Sequence, residues 1–339
     1  MMRDALAKIV CREDLSRTEA TDLMGFVMDG HATEAQIGAL LGALRTKGEA
    51  IEELAGFAQA LRNRAISVRP QRTHLLDTCG TGGDSSGSFN ISTASAFVAA
   101  AAGIGVAKHG NRAVSGNCGS ADVLEALGAR IDISEDRIAE CIDTVGFGFM
   151  FAPQHHPAVK RVSGPRKELG IRTVFNLLGP LANPANVTYQ VVGVFDDSVA
   201  PKVAEVLGIL GCERAMVVHG FDGVDEISTV GPTHISILQH GRVSTETRIP
   251  AEFNLVPTTL NTLSGGDGPD EHAAVLRRVL EGERGPRRDA VQVNAAAALI
   301  VAGLADTWRD GIALASSLIT SGKAMKVLDD YIAFTQAVH

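Results

Sequence analysis

The sequence predicts an α/β protein in which a small all-helical N-terminal domain precedes a larger α/β domain with a mainly parallel central sheet flanked by helices. Three observations predict it. The first seventy residues carry helical signals only, short β-like runs alternate with helical ones from His74 onward, and long helical segments close the chain. A length of 339 residues corresponds to about two domains of ordinary size. They are expected at 1–70 and 74–339.

Two capping boxes, Ser16 to Glu19 and Thr33 to Gln36, each open an apolar run. Ile37, Leu40, Leu41 and Leu44 share one helix face, and Gly48 stands where a left-handed cap belongs. Ile51, Leu54, Phe57, Ala58 and Leu61 form a further stripe. Next come β-like runs at 74–78, 105–108 and 147–151, each followed by a helical one, at 93–102, 120–127 and 157–169. Runs at 189–194, 200–210 and 214–219 continue the alternation. Segments 233–238 and 242–249 read as a hairpin turning at His240-Gly241, and helices are expected at 270–281, 288–303 and 310–322. The Gly- and Asp-rich loop 261–269 suggests mobility.

Composition narrows the function classes. Lys and Arg number 31 against 39 Asp and Glu, a net charge of −8 that opposes a nucleic-acid backbone, so small-molecule partners are expected and nucleic acid is not. Five scattered cysteines with no CxxC pair suit a reducing cytoplasm. Arg3 and Asp4 precede any apolar run, and the weakly polar stretch 94–107 is short and broken by Gly103 and Gly105, so neither signal peptide nor membrane helix is expected.

Chemistry concentrates in three segments. In Asp77-Thr78-Cys79-Gly80-Thr81-Gly82-Gly83-Asp84 a β run ends in three glycines and an acid, and Asn90-Ile91-Ser92-Thr93 then opens a helix. Bare backbone amides beside a helix N-terminus form an anion site, although GTGG alone is equally a turn needing glycine for geometry. The spacing matches neither GxGxxG nor the Walker loop, which speaks against dinucleotide or Walker-type nucleotide binding. The second segment, 108–120, brings Lys108, His109, Asn111, Arg112, Ser115 and Ser120 together with Gly110, Gly116 and Gly119, a loop able to wrap a polyanion; a solvated basic turn is the competing reading. The third, 220–226, puts Asp225 and Glu226 after a β run, where paired carboxylates suit Mg²⁺; an acidic surface turn competes. Together they describe a site for a magnesium-complexed polyphosphate. Cys79 and Cys118 read as packing residues, His155 and His156 as too close in sequence to share a metal, and His219 and Trp308 as structural.

DTCGTGGD, NxST, KHGNRxxS and GxDGxDE, with FAPxxHPA at 151–158, RKxLGIRTxFNxLGPLxNP at 166–184 and NAAAAL at 294–299, resemble the anthranilate phosphoribosyltransferase family over nearly the whole chain. The resemblance implies a cytoplasmic homodimer of tryptophan biosynthesis, with a cleft between the helical domain, to which about 165–187 contributes, and the α/β domain. It implies phosphoribosyl pyrophosphate on Gly80, Gly83, Asp84, Ser88, Asn90, Ile91, Ser92 and Thr93, on Lys108, His109, Gly110, Asn111, Arg112, Ala113, Val114, Ser115 and Gly116, and on Ser120. Two Mg²⁺ ions map onto Ser92, Asp225 and Glu226. Anthranilate maps onto Gly80, His109, Asn111, His156, Arg166, Gly179 and Pro180. Displacing pyrophosphate from the ribose C1 calls mainly for positioning and for neutralising the leaving group, the catalytic part expected of Lys108, Asp225 and Glu226. A pyrimidine nucleoside phosphorylase, which should need no Asp225-Glu226 pair, and a non-catalytic nucleic-acid-binding relative, which should have a basic cleft, are the rival readings.

Overall fold

The computed structural model describes residues 1–82, 87–113 and 118–337. It opens with α1 (Met2–Val10), α2 (Arg17–Met28), α3 (Glu34–Lys47) and α4 (Ile51–Arg64). Both capping boxes form: Ser16 Oγ accepts from Glu19 N at 3.3 Å while Glu19 Oε2 accepts from Ser16 N at 2.9 Å, and Thr33 and Gln36 repeat the exchange at 3.3 and 3.0 Å.

The α/β part follows as β1 (Leu75–Gly80), α5 (Ile91–Ala101), β2 (Gly105–Gly110), α6 (Ser120–Ala126), α7 (Glu135–Thr144) and β3 (Phe147–Phe151). The next stretch is α8 (Ala152–His155), α9 (Lys160–Leu169), α10 (Phe175–Leu181), β4 (Tyr189–Gly193), α11 (Ala200–Ile209) and β5 (Arg214–Gly220). A hairpin, β6 (Thr233–Gln239) and β7 (Arg242–Arg248), leads to α12 (Pro269–Leu280), α13 (Pro286–Val301), α14 (Trp308–Thr320) and α15 (Lys323–Gln336). His240 and Gly241 carry φ of 51° and 70°, the two positive values that a two-residue hairpin turn needs.

The strands form one sheet in the order β3-β2-β1-β4-β5-β6-β7, parallel from β3 to β5 and antiparallel across the hairpin. Strand order runs outward in opposite senses from β1 and β4, so the carboxyl ends of these two strands open a crevice at a topological switch point. One sheet face is covered by α5 and α12 to α15, where Phe97, Phe147 and Tyr331 pack among many alanines of α5 and α13. The other face shares a single core with the helical part: Val192, Val194, Ala215 and Val217 join α1 to α4 and α11. Val162 of α9 and Leu177, Leu178 and Leu181 of α10 enter the same core, α9 against α3 and α10 against α4. Half-buried Arg62 locks this arrangement, with Nε donating to Leu181 O at 2.7 Å and Nη1 to Leu210 O at 2.9 Å.

Helix α15 lies beyond the last helix expected from the sequence, and other elements depart from that reading too. Helix α7 buries only Ile138, Cys141 and Ile142, too sparse a stripe to stand out. Pro180 and Gly179 mask α10, whose apolar side chains make it helical through packing rather than propensity. The loop read as mobile is held in place: Phe89 N donates to Leu263 O at 2.9 Å, Gly265 N to Gly87 O at 3.3 Å, and Ser88 bridges Ser264.

Candidate active site

The switch-point crevice widens into a cleft of about 960 Å³. The ends of β1 and β2, the N-terminus of α5 and the acidic turn form one wall; α9 and α10 form the other. The first two chemical segments end the neighbouring strands β1 and β2, but the third ends β5, and β4 lies between β1 and β5. The acidic turn therefore crosses over the end of β4 to reach β1. It can do so only because Gly193 has no side chain: a Cβ there would occupy the Asp225 carbonyl, and one on Gly80 would strike the Asp225 carboxylate. Asp225 Oδ2 accepts from Gly82 N at 3.0 Å, and Glu226 Oε1 accepts from Ser92 N, in the first turn of α5, at 3.1 Å. Both carboxylates thus converge on the amide-rich loop and on a positive helix end.

Lys108 is buried beside them on β2 and points across β1, where its ammonium donates to Thr78 O and, at 3.4 Å, to Ser92 Oγ. Burial pulls its pKa down, opposed by the charges of Asp77, Glu226 and Asp225. Asp77 is fully buried and accepts from His109 N at 3.2 Å and from Asn183 Nδ2 at 2.8 Å, while burial pushes its carboxyl up. Asn183 Nδ2 also donates to Ala107 O at 2.9 Å. This polar layer beneath the cleft ties β1 and β2 to the chain leaving α10. The sequence signal for it was an acid inside an otherwise apolar strand.

Among the remaining expected residues, Ser88, Asn90 and Thr93 line the cleft, and the buried Thr93 hydroxyl has no hydrogen-bond partner among the described residues. Asn90 is committed to structure: Nδ2 donates to Cys118 O at 3.1 Å and Oδ1 accepts from His272 Nδ1 at 3.0 Å. The Ile91 side chain is not in the cleft but in the core, so that position can offer only backbone. Gly110, Asn111, Ala113 and Ser120 line the wall, but the Arg112 guanidinium turns back onto α6, paired with Asp122 at 2.9 Å and with Glu125. Asp122, which sequence reasoning missed, also accepts from Ala113 N and Gly119 N, both at 2.9 Å. Gly83, Asp84, Val114, Ser115 and Gly116 lie outside the described residues.

On the opposite wall, half-buried Arg166 stacks over Phe175 at 5.2 Å from the ring centroid; its guanidinium has no carboxylate partner among the described residues. His109 Nδ1 faces Gly179 O at 3.2 Å, which makes it the donor and leaves Nε2 as a buried acceptor. His156 Nε2 donates to Ala182 O at 3.0 Å, and its ring meets that of His109 edge-on at 5.2 Å. Burial drives the pKa of His109 well below the usual imidazole value and that of His156 down to about 4. His155 instead turns its Nδ1 to Ile66 O at 2.7 Å, so the two adjacent histidines share no metal. Burial pushes the Cys79 thiol well up and that of Cys118 to about 12, consistent with packing roles, and His219 is tied to Val194 O at 2.8 Å.

A pH dependence follows from His156. It is neutral when folded and titrates near 6.5 when unfolded, so its penalty is absent above pH 6.5 and grows as pH falls toward 4. At pH 5 it amounts to about 2 kcal/mol. His156→Gln, whose amide can still donate to Ala182 O, is expected to flatten the decline in melting temperature between pH 7 and 5; an unchanged slope would refute the assignment.

Among the described residues no group of three or more His, Cys, Asp or Glu could hold a metal ion. Two carboxylates and a serine hydroxyl form a hard-oxygen set too small for a complete cage, which fits Mg²⁺ sharing its sphere with water and phosphate oxygens.

An amide-lined switch-point cleft with a carboxylate pair, flanked by a helical bundle, suits a protein that handles a phosphorylated small molecule together with a divalent cation. Residues 3–65 match the helical bundle domain of the glycosyl transferase family, and residues 72–325 match its α/β domain. The anthranilate phosphoribosyltransferase of Moorella thermoacetica is 50% identical over 99% of both chains, and that of Acetivibrio thermocellus is 48% identical over 99% of this chain and 97% of its own. The crystal structure of the Thermus thermophilus enzyme superposes with a TM-score of 0.94 at 44% identity, covering 98% of this chain and all of that one. The Saccharomyces cerevisiae enzyme in complex with PRPP and Mg gives 0.89 at 28% identity, over 99% and 98%. This chain belongs to the anthranilate phosphoribosyltransferase family.

Proposed function

We infer that the protein transfers the 5-phosphoribosyl group of phosphoribosyl pyrophosphate to the amino group of anthranilate, releasing pyrophosphate, as a Mg²⁺-dependent step of tryptophan biosynthesis. The observation that carries this reading is the convergence of Asp225 and Glu226 on Gly82 N and Ser92 N, across the cleft from the Arg166 guanidinium, which has no carboxylate partner among the described residues. A carboxylate pair and an amide-lined helix end take opposite halves of a metal–polyphosphate complex, and a guanidinium fork suits the carboxylate of an aromatic acid.

In this reading the α/β domain at 74–339 binds phosphoribosyl pyrophosphate, and the helical domain at 1–70, with 165–187, presents anthranilate. Ser92, Asp225 and Glu226 hold two Mg²⁺ ions, which supply charge neutralisation for pyrophosphate. Lys108 spends two of its three protons on Thr78 O and Ser92 Oγ, so the third is available to a phosphate oxygen. The carboxylates and α5 thereby fix the leaving group while Arg166, Asn111, His109, His156 and the Gly179-Pro180 turn hold the acceptor; as a neutral nucleophile its amine needs no catalytic triad. The enzyme works as a cytoplasmic homodimer. Against phosphorolysis of pyrimidine nucleosides, the carboxylate pair would have no role.

Loss of anthranilate fluorescence with phosphoribosyl pyrophosphate and Mg²⁺, each omitted in turn, tests the reading; signal loss without any one of them would overturn it. Arg166→Ala is expected to raise the anthranilate KM about tenfold or more, with little change for phosphoribosyl pyrophosphate. Arg166→Lys should rescue only partly, because a point charge lacks the planar fork. A selective loss for the pyrophosphate substrate would remove Arg166 from the acceptor site.

A further inference from the structure

Asn294 opens the NAAAAL run on α13, has no contact with the cleft, and is 3% exposed. Its amide grips the backbone just after the carboxylate pair: Oδ1 accepts from Ile227 N at 2.9 Å and Nδ2 donates to Ile227 O at 3.0 Å. Nδ2 also donates to Ala290 O at 2.9 Å, one turn back on its own helix, so both its donors and its acceptor are engaged. A buried side chain held at three points has one orientation, and Ile227, itself in the core, has one place to sit.

Helix α13 packs along α5, the helix whose Ser92 N donates to Glu226 Oε1. The acidic turn is therefore held from β1 through Gly82, from α5 through Ser92 and from α13 through Asn294. The first two contacts end on the carboxylates and compete with anything those oxygens bind. The third ends on backbone and persists whatever the carboxylates hold. Among the standard side chains of this length, only Asn offers a donor and an acceptor in one planar group that pairs with the N–H and C=O of one residue; Asp lacks the donor, Leu lacks both, and Gln is a methylene too long.

We propose that Asn294 is a positioning residue that presets Asp225 and Glu226 for the divalent cation by clamping the backbone N–H and C=O of Ile227. The proposal rests on the reading that these carboxylates bind Mg²⁺. Its test is Mn²⁺ alone, titrated into the full-length protein and followed by the electron-paramagnetic signal of the free ion. Asn294→Leu, nearly isosteric, should weaken Mn²⁺ binding about tenfold, and Asn294→Ser somewhat less. Asn294→Ser carries the test alone if the leucine variant does not fold. The Mg²⁺ concentration for half-maximal activity should rise in step, with the anthranilate KM unchanged at saturating Mg²⁺.

A lowered melting temperature with unaltered Mn²⁺ affinity in the folded protein would make Asn294 merely structural and overturn the proposal. Asp225→Asn separates the two layers. If it weakens Mn²⁺ binding while the Asn294 variants do not, only the clamp is wrong. If Asp225→Asn leaves Mn²⁺ binding intact, the metal reading falls and the clamp's purpose falls with it.

Discussion

Glu226→Gln and Asp225→Asn are each expected to lower turnover by about two orders of magnitude or more while the chain stays folded. The amide oxygens of Gln and Asn can still accept from Ser92 N and Gly82 N, the hydrogen bonds that place these side chains, so the turn keeps its geometry. What is lost is negative charge at the point where a metal–pyrophosphate complex must be held, and electrostatic contacts made mainly in the transition state are worth roughly 10²- to 10³-fold each. Steady-state turnover across a Mg²⁺ series, with circular dichroism as the folding control, reads the effect. Near wild-type activity of either variant at limiting Mg²⁺ would remove that residue from the metal site.

The second large effect is expected from a residue that contacts no substrate. Gly193→Ala places a methyl group where the Asp225 carbonyl lies, and the obstacle is backbone on a turn already held on three sides, so it cannot simply rotate away. Either β4 or the acidic turn must shift, at a cost of about 1–3 kcal/mol in stability. The turn, being the less buried of the two, should yield and carry the carboxylates off Gly82 and Ser92. Activity should then fall about as far as in the carboxylate variants, with only a few degrees lost in melting temperature. Gly231→Ala, where nothing lies within 4 Å of the added carbon, is the matched control and should be neutral. Full activity in Gly193→Ala would mean that the turn does not need to lie across β4.

Much of this was legible in the sequence because it is written locally. Capping boxes, the His240-Gly241 turn and the alternation of β and helical runs depend on neighbours a few residues apart, and the structure follows them. The chemical segments were legible because glycine, amides and acids at strand ends stand out against apolar runs. What stayed hidden depends on partners far apart in the chain. Asn183 reaches Asp77 across 106 positions, Asn294 reaches Ile227 across 67, and Gly193 matters only because a turn begun after another strand passes over it. Arg112 shows the opposite failure: a cation in a phosphate-type loop is spent on Asp122 and Glu125, which periodicity assigned only to a helix.

The helical bundle is discontinuous in sequence, and this sets the order in which the nascent chain can be completed. Helices α1 to α4 end at Arg64, but the side chains of α9 and α10 that join their core arrive only at 160–181. At a synthesis rate of about 5–20 residues per second, the ribosome needs roughly 6 to 23 seconds to make the intervening stretch. During that interval the first four helices present an incomplete apolar surface to solvent. Three strands must also be laid down before β4 can take its place beside β1, so the sheet and the bundle close late. Slow or paused translation between α4 and α10 would therefore prolong the most aggregation-prone stage in the protein's life, long before any substrate pocket exists.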